Sequence, residues 1–121
     1  MRNLIGGYGR ALLSAMFVSG GFDTLRDPGY RPSAVEKAGI PQPDLAVKVN
    51  GVAMLVCGTM LALGIAPKLA ALGLAAAIIP TTYVGHQFWA TEAEADRRMQ
   101  RIHFLKNLGL LGGLLLVLSG A

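Results

Sequence analysis

The amino-acid sequence predicts an all-α fold, an integral membrane four-helix bundle with short connections and a candidate surface helix between the first two spans. Three observations carry this prediction. Hydrophobic residues make up 53% of the 121 residues and charged residues only 15%, against roughly 25% charged in soluble domains. The mean hydropathy is +0.50. The chain also closes on an apolar run, residues 107–121, without a charged side chain, and a chain this short cannot bury that run in a large soluble core.

The first apolar stretch, residues 4–22, is about long enough to cross a bilayer, since roughly 20 helical residues cover the hydrocarbon core. Arg10 interrupts it and no Ala-x-Ala cleavage site follows, so we interpret it as a retained span rather than a signal peptide. The connection that follows is polar and rich in proline and glycine. Within it, Ser33 and Glu36 have the capping-box spacing, which predicts a short surface helix that is stopped by Gly39.

Three further apolar stretches predict the remaining spans, at residues 45–66, 69–89 and 102–121. A tight turn at Pro67 and Lys68 joins the second span to the third. Pro80 lies inside the third span and removes one backbone donor, and Thr81 and Thr82 are available to satisfy the freed carbonyl. The charged segment before the fourth span is interpreted as a loop with a helical start. The whole chain, 1–121, is therefore predicted to be a single membrane domain.

The distribution of positive charge predicts the orientation. An even number of spans puts both termini on one side, and most of the positive side chains lie on the other side, in the two longer connections: Arg26, Arg31, Lys37, Arg97, Arg98 and Arg101. The positive-inside rule therefore predicts cytoplasmic connections and outer termini in a multi-pass protein of the plasma membrane. The formal charge of +4 then reflects orientation and contact with anionic lipid headgroups rather than nucleic-acid binding.

Polar residues from all four predicted spans fall at one membrane level, near the two longer connections. The candidate ligand-binding residues are His86, Gln87, Trp89, His103, Lys106 and Asn107, and the accompanying structural polar residues are Asp23, Lys48 and Asn50. Two interpretations are open. One is a pocket for a ligand or partner, whose cationic and amide donors suit a carbonyl or an anion. The other is an ordinary interfacial belt, with aromatic and histidine rings at headgroup level and lysines that snorkel.

Lys106 and Arg10 are two of the cations inside the predicted spans. An unpaired ammonium there is costly, so the sequence predicts that Lys106 pairs with the carboxylate of Asp23, the alternative being that it snorkels to the headgroups. Arg10 lies toward the opposite end, where no carboxylate is at its level. It is expected either to meet the C-terminal carboxylate of Ala121 or free carbonyls at the end of another span, or to snorkel.

No catalytic residue and no metal site is predicted. His86 and His103 have no thiol or carboxylate near them in the sequence and make a poor metal set. Cys57 is the only cysteine, so it cannot form an intramolecular disulfide and is interpreted as a small packing residue. Gly109 and Gly113 have the spacing of a close-packing ridge, expected inside the bundle rather than between protomers.

The chain resembles the DoxX family of small four-span membrane proteins over nearly all its length. The resemblance rests on residues 10–21 (RALLSAMFVSGG), on Gly39-Ile-Pro with Gly51, Gly58 and Gly64, and on the GHQFW motif at 85–89 followed by HFLKNLGLLGG at 103–113. It departs at Met54, where many relatives have a glutamate, so no role of that acid carries over. The resemblance implies a four-helix membrane bundle linked to oxidoreductase systems. Founding members are similar to subunits of a thiosulfate:quinone oxidoreductase, and actinobacterial relatives are linked to a complex with a superoxide dismutase and a sulfurtransferase.

Three functions follow as hypotheses. The first is a non-catalytic membrane subunit that docks a redox enzyme and offers it a quinone, the one candidate cofactor. The second is a module that takes a lipid or quinone from the bilayer. The third is a membrane assembly chaperone. The expected partners are the lipid bilayer and other membrane or membrane-docked proteins, among them a redox enzyme, with homo-oligomers open and no nucleic acid.

Overall fold

The computed structural model describes residues 4–120. Its helices are α1 (Leu4–Arg26), α2 (Arg31–Lys37), α3 (Pro43–Leu63), α4 (Pro67–Gly85) and α5 (Glu94–Ser119), and a 3-10 turn, Phe88–Ala90, precedes α5. No strand occurs among these described residues. The predicted all-α membrane fold class is therefore confirmed.

The four long helices form a bundle in the order α1, α3, α4, α5. Each packs along its neighbour, but α1 and α5, which would close the ring, touch only slightly. The short α2 lies against α3 and α4. Phe17, Leu61, Leu74 and Leu114, one from each long helix, lie in the buried core. The bundle is thus continuous from α1 round to α5 and nearly open between these two.

Three helical segments among the described residues are long and apolar enough to cross a membrane: Pro43–Leu63, Pro67–Ala90 and Glu94–Ser119. The helix α1 is also long, at 23 residues, but it is not in this set. Its glycines and Arg10 lower its hydropathy. The first span accordingly stays a prediction. The helix α5 begins at Glu94, so most of the expected charged loop continues α5 in the N-terminal direction.

Small residues set the distance between α1 and α3. A Cβ atom built on Gly21 would lie 2.7 Å from the Leu55 backbone nitrogen and 2.8 Å from the Gly51 carbonyl oxygen. One built on Gly58 would lie 3.0 Å from Val18 Cγ2. Only hydrogen fits at these positions, as is typical of close helix–helix seams in membranes.

The close-packing ridge expected from Gly109 and Gly113 is only half present. A Cβ on Gly113 would lie 3.1 Å from Leu13 Cδ1. Glycine at this position therefore allows close packing of α1 against α5 inside the bundle. A Cβ on Gly109 would meet nothing within 4 Å. The expectation for Gly109 is therefore wrong, because α1 and α5 meet along only a short part of their length.

The helix α2 exists where a surface helix was expected, but its predicted start is wrong. It begins at Arg31, two residues before Ser33, and Tyr30 is the N-cap residue without a side-chain hydrogen bond. Pro32 in the first turn suits this earlier start, since that position needs no backbone donor. Gly39 follows the helix with a φ of 82°. That left-handed conformation is the one in which glycine ends a helix, as expected.

Candidate functional site

A cavity of about 480 Å³ lies inside the bundle at the end where α1 and α4 finish and α3 begins, here called the loop end. All four long helices and α2 contribute to its lining. Much of the wall is apolar, with Phe17, Met54, Ile78 and Leu110 among its residues. Pockets for small organic ligands have volumes of roughly 300–1,000 Å³ and mostly apolar walls. The cavity has the size and lining of a ligand pocket.

The first polar feature of the wall is built around Pro80. Proline has no N–H, so the carbonyl one turn earlier, that of Ala76, loses its usual donor. The two threonines that follow were expected to replace that donor, and this expectation is wrong. Thr81 Oγ1 donates instead to the Ala77 oxygen at 2.8 Å, and Thr82 Oγ1 donates to the Ile78 oxygen at 2.7 Å. A threonine hydroxyl in a helix reaches the carbonyl four residues back, which for these two lies beyond Ala76.

Each threonine also accepts a hydrogen bond from an asparagine on another helix. Asn50 Nδ2 lies 2.8 Å from Thr81 Oγ1, and Asn107 Nδ2 lies 3.0 Å from Thr82 Oγ1. Because both hydroxyl protons are directed to carbonyls, each amide can only donate here, which assigns its orientation. Asn50 and Asn107 both line the cavity. Their amide oxygens therefore remain as acceptors for a ligand.

Basic side chains form the second polar feature, nearer the loops. The His86 and His103 rings stack with centroids 5.1 Å apart and planes at 25°. His86 Nδ1 lies 2.7 Å from Gln100 Oε1, so Nδ1 donates and Nε2 is the ring's remaining acceptor. Lys106 lies about one turn beyond His103 on α5, and its side chain has no hydrogen bond or ion pair with any described residue. Both histidines and Lys106 line the cavity.

The helix α2 and the residue before it form part of the cavity wall. Tyr30, Arg31, Ala34 and Val35 line the cavity from its side. Arg31 Nη1 donates to the carbonyl oxygens of Asp27 and Pro28, at 3.2 and 3.3 Å. These bonds tie α2 to the turn that follows α1. The helix α2, which forms part of the cavity wall, is thus held to the turn that follows α1.

Four of the polar residues expected at this level do not line the cavity: Asp23, Lys48, Gln87 and Trp89. Trp89 lies instead in an aromatic cluster with Phe88 and Phe104, at centroid distances of 5.2 and 5.6 Å. It is 51% exposed, which suits the interfacial-belt interpretation for this residue. For the residues that line the cavity, the ligand-pocket interpretation stays a prediction.

The expected ion pair between Lys106 and Asp23 is wrong. Within residues 4–120, the only ion pair is that of Arg98 with Glu94, at 3.9 Å. Asp23 and Lys106 are both exposed. The physical reason is the gap between α1 and α5, which have few contacts.

Arg10 and Cys57 lie away from the cavity. Arg10 is half-buried, and its guanidinium extends toward Gly7, one turn nearer the N-terminus. That direction fits a side chain that snorkels. The alternative contact with Ala121 falls outside the described residues. Cys57 packs against the core, and a Cβ on Gly73 would lie 2.6 Å from its Sγ.

Sequence reasoning missed two contributors to the site, Arg31 and Gln100. Arg31 was counted only as a charge of a connection, and its role depends on the fold of α2 over the cavity. Gln100 lies in the segment interpreted as a loop. A helix that starts at Glu94 instead puts Gln100 three residues before His103, on the same face. The acidic first turn of α5, with Glu94 and Asp96, was the available signal for that start.

The fold and the cavity define a class, that of small helical membrane proteins with an internal pocket. The DoxX family matches residues 8–87. This chain belongs to the DoxX family. The match covers α1 to α4 and ends just after His86, so the cavity residues of α5 lie outside it. No curated protein and no solved structure matches the chain.

Proposed function

We propose that this protein is a non-catalytic membrane subunit that binds the polar head of a membrane amphiphile and presents it to a redox partner. The amphiphile is a quinone or a lipid. The observation that carries the proposal is the cavity of about 480 Å³, which combines apolar walls with polar groups at its loop end.

The polar groups suit both redox states of a quinone. A quinone carbonyl needs donors, and the ammonium of Lys106 and a ring N–H of His103 can supply them. A quinol hydroxyl needs acceptors, and the amide oxygens of Asn50 and Asn107 supply these. The apolar wall would hold the ring. A site that accommodates both states can exchange reduced and oxidised ligand with a partner.

The partner carries the redox chemistry in this proposal. Cys57 is the only cysteine and packs at the seam of α3 and α4, against Gly73, so no thiol pair is available within the chain. The link of DoxX relatives to oxidoreductase systems supports a membrane or membrane-docked redox enzyme as the partner. We further propose that four helices span the plasma membrane, with the loop end and α2 on the cytoplasmic side.

Affinity purification in mild detergent, with mass spectrometry of both proteins and lipids, tests the proposal. The informative variant is Gly20→Leu, because Gly20 lines the cavity and the nearest atom to its Cβ would be Met54 Cε at 4.0 Å. The Cβ of the new leucine fits without a clash, and the rest of its side chain would occupy part of the cavity. The matched control is Gly9→Leu on the same helix, where nothing lies within 4 Å.

We expect a quinone or lipid to co-purify with the wild type and with Gly9→Leu in about stoichiometric amount, and to be lost from Gly20→Leu. A redox enzyme should co-purify with the wild type. Retention of the same amphiphile by Gly20→Leu would contradict the cavity as the binding site. A changing set of membrane proteins in place of one enzyme would favour the chaperone hypothesis.

A further inference from the structure

Apart from the phenol of Tyr30, the ionisable side chains that line the cavity are basic. They are Arg31 on α2, His86 after α4, and His103 and Lys106 on α5. No aspartate or glutamate lines it, although the chain has 7 acidic residues. A cavity with cations and no counter-charge is an electrostatic site for an anion, because low-dielectric walls focus the field of the charges.

Among these basic side chains, Lys106 has the fewest contacts with protein groups that would compensate its charge. Its side chain has no ion pair or hydrogen bond with any described residue. Arg31 differs, because two carbonyl oxygens already accept hydrogen bonds from it. His86 also differs, because Gln100 holds its Nδ1. The ammonium of Lys106 is therefore the group whose charge a ligand would neutralise.

The residues next to Lys106 on α5 indicate where the polar and apolar parts of that ligand would lie. His103 stacks on His86 at 5.1 Å and lies about one turn of α5 before Lys106, while Leu110 lies about one turn after it. All four line the cavity. Three residues farther, Gly113 contacts Leu13 of α1. Along this side of α5 the residues thus change from basic to apolar toward Gly113, where α5 approaches Leu13 of α1.

We infer that the amphiphile held in the cavity is anionic at its head, a phosphate ester whose oxygens face Lys106, His103 and Arg31 and whose apolar chain lies against Leu110 and the core. This inference rests on the proposed function and names the ligand class of that site. It selects the lipid over the quinone, because the basic side chains of the lining favour a charged head over a neutral one. The phosphate is that of a membrane lipid, since the cavity continues into apolar wall, whereas inorganic phosphate would leave that wall empty.

Native mass spectrometry of the full-length protein in detergent tests the inference. The probes are dioleoyl phosphatidylglycerol, dioleoyl phosphatidylcholine, ubiquinone and inorganic phosphate, each offered separately. The test variant is Lys106→Met, which keeps much of the side-chain volume without the charge. The control is Lys48→Met, which removes a lysine that is also near the loop end but does not line the cavity.

The wild type and Lys48→Met should retain phosphatidylglycerol in preference to phosphatidylcholine. Lys106→Met should lower phosphatidylglycerol retention by about tenfold or more, the worth of one charge-assisted hydrogen bond. It should lower phosphatidylcholine retention less, because the choline cation balances the charge of that phosphate. Excess inorganic phosphate should displace little lipid; complete displacement would overturn the lipid source.

An equal loss of phosphatidylglycerol retention in Lys106→Met and Lys48→Met would mean that the effect comes from general surface charge. That result would overturn the inference. Retention of ubiquinone by both the wild type and Lys106→Met, without preference for phosphatidylglycerol, would overturn the anionic ligand class and leave the proposed function standing. Retention of none of the amphiphiles by the wild type would refute the proposed function itself.

Discussion

Gly21 holds α1 against α3, and its replacement by alanine should weaken the bundle. The added Cβ would lie 2.7 Å from the Leu55 nitrogen and 2.8 Å from the Gly51 oxygen. Both are backbone atoms, so no side-chain rotation relieves the contact. Ordinary van der Waals contact begins near 3.4 Å, so the helices must separate by about 0.7 Å. Overpacking of this kind costs about 1–3 kcal/mol.

Alanine also has an intrinsic advantage over glycine inside a helix, of about 1 kcal/mol. The matched control Gly9→Ala contains only this advantage, because a Cβ there meets nothing within 4 Å. We therefore expect Gly21→Ala to be less stable than Gly9→Ala by about 1–3 kcal/mol. The assay is reversible unfolding in mixed micelles by titration with dodecyl sulfate, followed by far-ultraviolet circular dichroism. Equal stability of the two variants would refute the close backbone approach of α1 and α3.

Three further predictions concern other parts of the chain. Gly73→Ala should destabilise the protein because its Cβ would lie 2.6 Å from Cys57 Sγ, and addition of Cys57→Ala should recover the loss; purely additive unfolding energies would contradict that contact. In a double-mutant cycle of Asn107→Leu and Thr82→Val, the coupling energy should be about 0.6–1.7 kcal/mol; zero coupling would mean that the hydrogen bond of 3.0 Å contributes nothing. In a Cys57→Ser background, Ala95→Cys should resist an impermeant thiol reagent in intact cells and react after lysis; reaction in intact cells would reverse the proposed orientation.

The architecture could be predicted from the sequence because membrane helices have a strong local signal. Apolar runs of span length and Pro/Gly connections set the number and order of the long helices. Gly39 was predicted to end α2, and it does so with its positive φ. The capping box at Ser33 failed because Pro32 competes with it and suits an earlier start.

The candidate site could be predicted only in part. The histidines, Lys106 and Asn107, which were grouped by their positions along the helices, all line the cavity. Which side of the helix faces a cavity depends on how the helices pack, and hydropathy is nearly uniform around such helices. Lys48 and Asp23 were placed in the same group but do not line the cavity. The ion pair of Asp23 with Lys106 failed for the same reason, because the closeness of α1 and α5 is a property of packing.

The central claim is that the cavity binds the head of a membrane amphiphile, and photo-crosslinking tests it most directly. A lipid with a diazirine on its chain near the head would be irradiated with the purified protein, and the adducts mapped by peptide mass spectrometry. We predict adducts on Met54 and Leu110, which line the cavity, and their loss in Gly20→Leu. Adducts confined to Leu105 and Leu108, exposed residues of α5 outside the cavity lining, and unchanged by Gly20→Leu would contradict the claim.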